Sequence, residues 1–366
     1  MSEQAGLSRR GFLRASATAG GGLLLAFTIG CKDKSKDKPA PTPPAPAAPT
    51  GDPVDLDAWI HIDPDNTITL GIDLQREAGK AEERTAAGRS ERYDEAELTR
   101  SLYGLYRSTL FESLTLTLGG RLDDFEGFGS VFTYRLTGAL PLSDWGTTLR
   151  ASYATGAKAP TIQQRFDDTF LFGFLPVRGN PDLEIERSKS WDIGIEQSLF
   201  DGKLVASATL FLNRFDDLIE FDAGAGTFLQ IDEAETKGAE LALQWRPLDR
   251  LRITGSYTHL RAEDKADGTA LPRRPRHTGS VIVDFDVTSR ASLQASLSLV
   301  GDRYNDTGER GRLDGYSLVN IAGTYEITDG VEFWGRIDNL FDDDYEEVMN
   351  LATAGRSAFA GLRARF

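Results

Sequence analysis

From residue 67 to its last residue, this chain repeats one pattern, an alternation of apolar and polar side chains with a period of two. Within residues 331–338, for example, Val331, Phe333 and Ile337 share one face, and charged residues occupy the other. Successive side chains of a β-strand point to opposite faces, so such a segment has one apolar face and one face that tolerates charge. About fourteen strands of this kind follow one another, which is more than a small sandwich contains.

The polar face of these strands decides the fold class. Its charged residues are Arg121, Arg135, Arg150, Glu240, Arg252, Glu332 and Arg336. A small packed core excludes such residues, whereas the wet or plugged lumen of an outer-membrane barrel accepts them. Aromatic residues near strand ends on the apolar face fit a membrane girdle, namely Tyr153, Trp191, Trp245, Tyr257 and Tyr325. The sequence therefore predicts an all-β fold, the antiparallel transmembrane β-barrel portion of about fourteen strands.

The connections between the strands alternate in length. Tight hairpin signals occur at residues 200–203, 247–249, 287–289 and 328–330. Long loops lie between them, at residues 156–182, 261–274 and 301–315, and residues 75–92 are predicted to form a further solvated loop. Short turns at one rim and long loops at the other are typical of bacterial outer-membrane barrels, with the long loops facing outward.

Composition excludes several other classes of protein. The chain has 366 residues and a net charge of −15, which argues against nucleic acid as a partner. Its single cysteine excludes an internal disulfide, and His61, His259 and His277 are too scattered to predict a metal site. No constellation of residues predicts an enzyme, a cofactor or a metal centre.

The first 54 residues form a leader and a linker. Arg9, Arg10, Phe12 and Leu13 match a twin-arginine export signal within residues 1–31. Cys31 follows Gly30 as in a lipoprotein cleavage box, which leaves two interpretations: an acylated cysteine, or a cysteine in a leader cut elsewhere. Residues 32–54 are rich in proline and alanine and are predicted to be a disordered spacer.

A boundary is predicted near residue 66. Residues 55–66 form a short hairpin segment, distinct from the barrel of residues 67–366, with a turn at Asp63-Pro-Asp-Asn66. The leader, the linker and Trp59-Ile-His-Ile-Asp-Pro-Asp65 together resemble the start of exported molybdenum hydroxylase large subunits. One hypothesis is therefore a fragment of such a subunit, although none of that family's cofactor-binding body follows.

The remainder resembles the TonB-dependent receptor family, in its cobalamin and siderophore receptor branch. The motifs that carry the resemblance are Ala157-Lys-Ala159-Pro160-Thr161 with Arg165-Phe166, Asn180-Pro-Asp-Leu183 with its continuation to Trp191, and Ile231-Asp-Glu-Ala234 with its continuation to Glu240. Asn339, Leu340, Phe341, Asp342 and Tyr345 form the signature of the penultimate strand. Phe359, Gly361 and the terminal Phe366 fit the signal that barrel-assembly machinery recognises.

This resemblance implies a place in the outer membrane of a Gram-negative bacterium, against lipid and lipopolysaccharide, and uptake of a metal chelate or cobalamin-like nutrient. Members of the family also carry a plug and a short box that contacts TonB. The chain has room for neither, which argues against a contact with TonB. Two functional hypotheses follow: a nutrient receptor, and a plug-less pore or non-functional receptor fragment.

Each of two groups of charged residues allows two interpretations. The acidic stretch of residues 342–347 is either an outer-loop calcium site or a solvated loop, and its spacing fits no EF-hand. The charges on the polar face either contact a ligand or a plug, or pair with one another across strands.

Overall fold

The computed structural model describes residues 54–63, 65–85, 88–171, 175–222 and 224–364, and most of them lie in β-strands. The strands are β1 (Val54–Asp63), β2 (Asn66–Thr85), β3 (Gly88–Leu110), β4 (Leu114–Phe125), β5 (Gly129–Leu142), β6 (Thr147–Lys158), β7 (Asp168–Leu171), β8 (Leu175–Arg178), β9 (Glu186–Leu199), β10 (Leu204–Asp222), β11 (Thr227–Leu248), β12 (Leu251–Asp264), β13 (His277–Thr288), β14 (Ala291–Val300), β15 (Arg303–Asp306), β16 (Arg310–Leu313), β17 (Tyr316–Thr328), β18 (Val331–Asp338) and β19 (Ser357–Ala364). One short helix, α1 (Ile162–Phe166), and a 3-10 turn at Ser143–Trp145 interrupt them. Within the described residues, neither helix is long and apolar enough to cross a membrane.

Fifteen of these strands form one antiparallel meander, and we call β1–β6, β9–β14 and β17–β19 the ladder strands. Each ladder strand pairs with the next along the chain. β6 pairs with β9, and β14 with β17, because β7–β8 and β15–β16 are small hairpins within long connections. From β2 onward the ladder has fourteen strands, so the predicted antiparallel architecture and strand number are confirmed.

The two ends of the ladder differ as predicted. The connections at one end, the short-turn rim, are all turns of two to four residues in the described part of the chain: 111–113, 143–146, 200–203, 249–250, 289–290 and 329–330. The other end, the loop rim, holds the short turn at residues 126–128 and all the long connections: residues 159–185, 265–276, 301–315 and 339–356. Alternating antiparallel strands place every second connection at the same end of the sheet, so a consistent difference in length gives two distinct rims.

Cross-strand registers bring the apolar positions of neighbouring strands onto one face. Ile193 lies opposite Leu210, and their exposed fractions are 62% and 61%. Ile321 lies opposite Ile337, and both side chains are also exposed. Large aliphatic side chains left uncovered in continuous rows form a lipid-facing surface, because in water they would make a very large apolar patch. The opposite face carries the polar residues, and we call it the lumen face.

Aromatic side chains cluster toward both ends of the lipid-facing surface. Tyr153 and Trp191 are direct cross-strand neighbours whose ring centroids are 5.2 Å apart, toward the loop rim. Trp245 lies opposite Leu204, and Tyr325 opposite Ala291, both beside the short-turn rim. Two aromatic levels on the apolar face are the arrangement of a membrane girdle.

Residues 75–92 differ from the prediction of a solvated loop. β2 and β3 remain paired from Asn66–Ser108 to Thr85–Gly88, and Lys80 Nζ lies 3.1 Å from a carboxylate oxygen of Asp94. This hairpin is about twice as long as the roughly 10 residues that a membrane-spanning strand needs. The sequence of its outer part lacks a regular alternation of large apolar residues, whereas the backbone pairing continues. β1 also pairs with β2 in this sheet, across the predicted boundary near residue 66.

Candidate functional site

The end of β10 at the loop rim holds two long connections in place. β10 has 19 residues, so Glu220 and Asp222 extend beyond the portion that spans the membrane. Both carboxylates lie at the loop-rim end of β10, and each pairs with arginine from a different long connection. This end of β10 is therefore the anchor of the mouth, the name we give to the loop-rim end of the lumen face.

Glu220 docks the connection of residues 265–276. Arg274 Nη2 donates to Glu220 Oε1 at 2.9 Å, and Arg273 Nη2 lies 3.8 Å from Glu220 Oε2. Burial raises the pKa of the Glu220 carboxyl even though both guanidinium groups oppose the shift. Beneath this ion pair Leu271 is 3% exposed and packs against buried alanines of β11 and β12. The loop is therefore held by an apolar contact together with a charged contact.

Asp222 docks the β15–β16 hairpin. Thr307 Oγ1 donates to Asp222 Oδ2 at 2.9 Å, and Arg310 Nη2 lies 3.1 Å from the same oxygen. Burial opposes ionisation of Asp222, but the Ala225 and Gly224 amides, Thr307 and Arg310 outweigh it and lower the pKa of this carboxyl. The ionised form is thus the one that binds the hairpin.

The hairpin in turn contacts the connection of residues 339–356. Arg303 Nη2 donates to the Glu346 carbonyl at 2.7 Å, and the guanidinium carbon lies 5.5 Å from the centre of the Tyr316 ring. Tyr316 packs against Tyr345 with centroids 4.5 Å apart. Three loops are therefore linked side by side across the mouth, from β10 to β19.

The penultimate-strand motif forms the base of that connection. Asn339 is buried with φ 50°, its Oδ1 accepts from the Asp343 amide at 2.9 Å, and its own amide donates to Asn320 Oδ1 at 2.8 Å. Asn tolerates this left-handed conformation better than other non-glycine residues. Leu340 donates its amide to the Val319 carbonyl at 2.8 Å, whereas Phe341 is exposed. This motif therefore builds a turn.

In the acidic stretch that follows, carboxylate oxygens accept hydrogen bonds from backbone amides. Asp342 Oδ1 accepts from the Arg356 amide at 2.6 Å, and Asp343 Oδ2 accepts from the Ser317 amide at 3.2 Å. In the described part of the chain, no group of three or more acidic, histidine or cysteine side chains is placed to hold a metal.

The remaining long loop, residues 159–185, packs against the β2–β3 hairpin. Thr161 caps α1 through the Gln164 amide at 3.2 Å, and Gln164 Oε1 accepts from the Thr161 amide at 2.9 Å, a reciprocal capping box. Arg165 pairs with Glu97 and lies 4.7 Å from the Phe128 ring centre. Asn180 donates its amide to the Gln164 carbonyl at 2.8 Å, which joins two of the motifs named above.

The lumen face below the mouth is lined by paired charges. Arg121 Nη2 lies 2.9 Å from Asp73 Oδ2, and Arg121 Nε lies 2.7 Å from Asp123 Oδ1. Arg150 pairs with Glu196 at 3.1 Å, Glu332 with Arg363 at 2.6 Å and Arg336 with Asp338 at 3.2 Å. Cross-strand pairing, one of the two interpretations from sequence, thus accounts for Arg121, Arg150 and Glu332.

Several predicted residues stand apart from this mouth. Phe359 and Gly361 lie on the lumen face of β19, where Phe359 contacts Arg336 at 4.5 Å and the Trp334 ring covers Gly361. Phe366, Arg9, Arg10, Phe12, Leu13 and Cys31 lie outside the described residues. The export signal, the acylation of Cys31, the assembly signal and the resemblance of the leader to a molybdenum hydroxylase stay predictions.

The anchors Glu220 and Asp222 were missed by sequence reasoning. Glu220 is 54 residues from Arg274, and Asp222 is 88 residues from Arg310. No local pattern marks such partners. An acidic residue that follows an unusually long strand is the one signal that points to them.

Comparison with known proteins agrees with this architecture. A family profile described as TonB dependent receptor-like, beta-barrel, matches residues 45–340. The chain is 29% identical over 321 residues to a protein named vitamin B12 transporter BtuB of Vibrio vulnificus (strain YJ016), a match that covers 85% of this chain and 49% of the relative. It is 30% identical over 283 residues to an iron-regulated outer membrane virulence protein of Vibrio cholerae serotype O1, covering 70% of this chain and 43% of the relative.

Solved structures show the same fold. The siderophore receptor PirA from Acinetobacter baumannii aligns with a TM-score of 0.68 at 20% identity, over 86% of this chain and 54% of that one. The copper transporter OprC aligns with a TM-score of 0.69 at 18% identity, over 85% of this chain and 55% of that one. This chain thus spans about half the length of the curated relatives it matches.

Proposed function

The chain belongs to the TonB-dependent receptor-like β-barrel family of the outer membrane, and we propose that it takes up a metal chelate or a cobalamin-like nutrient. The relatives whose names mention vitamin B12 and iron support this substrate class. We propose that the chain transports its ligand without converting it chemically, because its relatives are named as transporters and receptors. Contacts with lipopolysaccharide and with the assembly machinery are part of the same proposal.

The observation that carries the proposal is the mouth at the loop rim. Arg274 and Arg310 bring two separate loops to the end of β10, directly above a lumen face lined by charged and hydroxyl side chains. A large polar solute gives up part of its water of hydration when it binds. Charged and hydroxyl side chains replace that water with hydrogen-bond donors and acceptors.

Uptake by whole cells tests the proposal. The full chain is expressed in a Gram-negative strain that lacks its own cobalamin and siderophore receptors, and accumulation of labelled cyanocobalamin and of labelled ferric siderophores is measured. We expect saturable accumulation of one of them above the vector control. Absence of accumulation of every ligand, with the protein present in the outer-membrane fraction, would refute the uptake function.

A matched pair of substitutions separates the mouth from the rest of the barrel. Asp222→Asn weakens docking of the β15–β16 hairpin, so we expect a higher half-saturation concentration for uptake. Asp201→Asn makes the same chemical change in a turn at the short-turn rim, and we expect it to leave uptake unchanged. Equal effects of the two substitutions would contradict recognition at the mouth.

The second candidate function is a pore, favoured by the continuous polar lumen face from β2 to β19. Purified protein in a planar bilayer would then conduct ions without a TonB partner, and solute entry would be non-saturable. Saturable uptake that disappears in a strain lacking TonB would exclude the pore and support the receptor.

A further inference from the structure

Two of the three histidines of the chain meet across neighbouring strands at the loop rim. His259 of β12 lies directly opposite His277 of β13. The Leu260 amide donates to the Arg276 carbonyl at 2.9 Å, so the histidine pair occupies a non-hydrogen-bonded position of the antiparallel ladder. Side chains at such positions lie closer together than at hydrogen-bonded ones, because the Cα atoms are only about 4.5 Å apart.

The two imidazoles share one face and lie side by side. Their ring centroids are 4.9 Å apart, with an angle of 39° between the ring planes. On the same face, the Tyr257 hydroxyl lies 2.7 Å from His277 Nδ1. When this hydroxyl accepts the Nδ1 proton, the lone pair of Nε2 is free for a ligand, the usual role of a partner that orients a metal-binding histidine.

The surroundings leave space beside this pair at the loop-rim end of the lipid-facing side. Its flanking positions are small: Ala239 lies opposite His259, and Gly301 donates its amide to the His277 carbonyl at 2.8 Å. Arg261, two residues from His259 on the same strand, is paired with Glu263 at 2.5 Å, which offsets its charge. Both histidines are exposed, on the lipid-facing side of the sheet close to the loop rim.

We propose that His259 and His277 form a bidentate site for a divalent transition-metal ion of the copper, nickel and zinc group, with Tyr257 as a positioning residue. Neutral imidazole is the ligand that these ions share, and Cu²⁺ forms the most stable complexes among them. Within the described residues no third acidic, histidine or cysteine side chain completes the set, so water fills the remaining positions. The site faces away from the lumen and is separate from nutrient uptake.

Titration of the purified full chain with Cu²⁺ at neutral pH tests the site, in a Cys31→Ser background that removes the thiol. We expect one equivalent to bind and electron paramagnetic resonance to show coupling to two nitrogens. His259→Gln or His277→Gln leaves one nitrogen and weakens binding about a hundredfold, because the chelate becomes a single contact. Tyr257→Phe keeps both nitrogens and weakens binding about tenfold.

The third histidine supplies the matched control, since His61→Gln leaves binding unchanged under this proposal. Heat-modifiable migration on a gel verifies that each variant is folded, and His259→Gln and His277→Gln are independent substitutions at exposed positions. The proposal is overturned if Cu²⁺ shows no coupling to two nitrogens. It is equally overturned if binding survives both substitutions or is lost in His61→Gln.

Discussion

The assignment of the two faces predicts a large difference between charge placed on Ile193 and charge placed on Thr209. Ile193 is six residues from the end of β9 at the short-turn rim, which places it roughly 14 Å above that rim for a rise of about 3.3 Å per residue and a tilt of about 45°. The apolar band of such barrels is about 25 Å tall, so Ile193 lies near its centre. Its exposed fraction of 62% there is exposure to lipid.

Ile193→Arg is therefore expected to destabilise the protein by about 2–4 kcal/mol, the cost of arginine at the bilayer midplane. This equals a roughly 30- to 700-fold increase in the unfolding equilibrium constant. Thr209→Arg adds the same side chain to the lumen face, opposite both Gly194 and Glu240. We expect it to cost less than about 1 kcal/mol, because water and a carboxylate accept the charge.

Urea titration of the protein folded into phospholipid vesicles measures both values, with the folded fraction read from heat-modifiable migration on a gel. Ile193→Leu is the matched control and should cost less than about 1.5 kcal/mol, since lipid accepts either aliphatic side chain. The assignment of faces is refuted if Thr209→Arg costs as much as Ile193→Arg.

Three further predictions follow from particular contacts. Asp222→Asn should speed hydrogen exchange of the β15–β16 hairpin at neutral pH. In the unmodified protein, exchange should accelerate only below the ordinary aspartate pKa of about 3.9, because the lowered pKa keeps this carboxyl ionised until then. Gly361→Val should cost about 1–3 kcal/mol in urea titration, since a Cβ there would lie 2.7 Å from the Trp334 ring; Gly335→Val, with no neighbour closer than 3.7 Å, should cost less, and the reverse order would contradict this packing. Thr161→Ala should cost α1 about 1 kcal/mol of capping, and unchanged proteolysis of residues 159–185 would contradict that role.

Local rules explain why much of the ladder was predictable. The faces of Phe333 and Ile337 follow from period two alone, and the turn at residues 200–203 follows from its Asp-Gly signal. These features need only a few neighbouring residues. Residues 75–92 escaped prediction for the same reason, because their strand conformation depends on the partner strand and not on their own alternation.

The sequence by itself determined the strands, their lipid-facing sides and the rim to which each connection belongs, since side-chain alternation and turn chemistry act over a few residues. Only the tertiary structure decided which charges meet. Glu220 with Arg274, Asp222 with Arg310, and His259 with His277 are each brought together by the register of the sheet or by the folding of a loop over the mouth. An ion pair requires only two opposite charges within reach, and many pairs of residues in the sequence meet that requirement. The backbone geometry decides which of them lie close together.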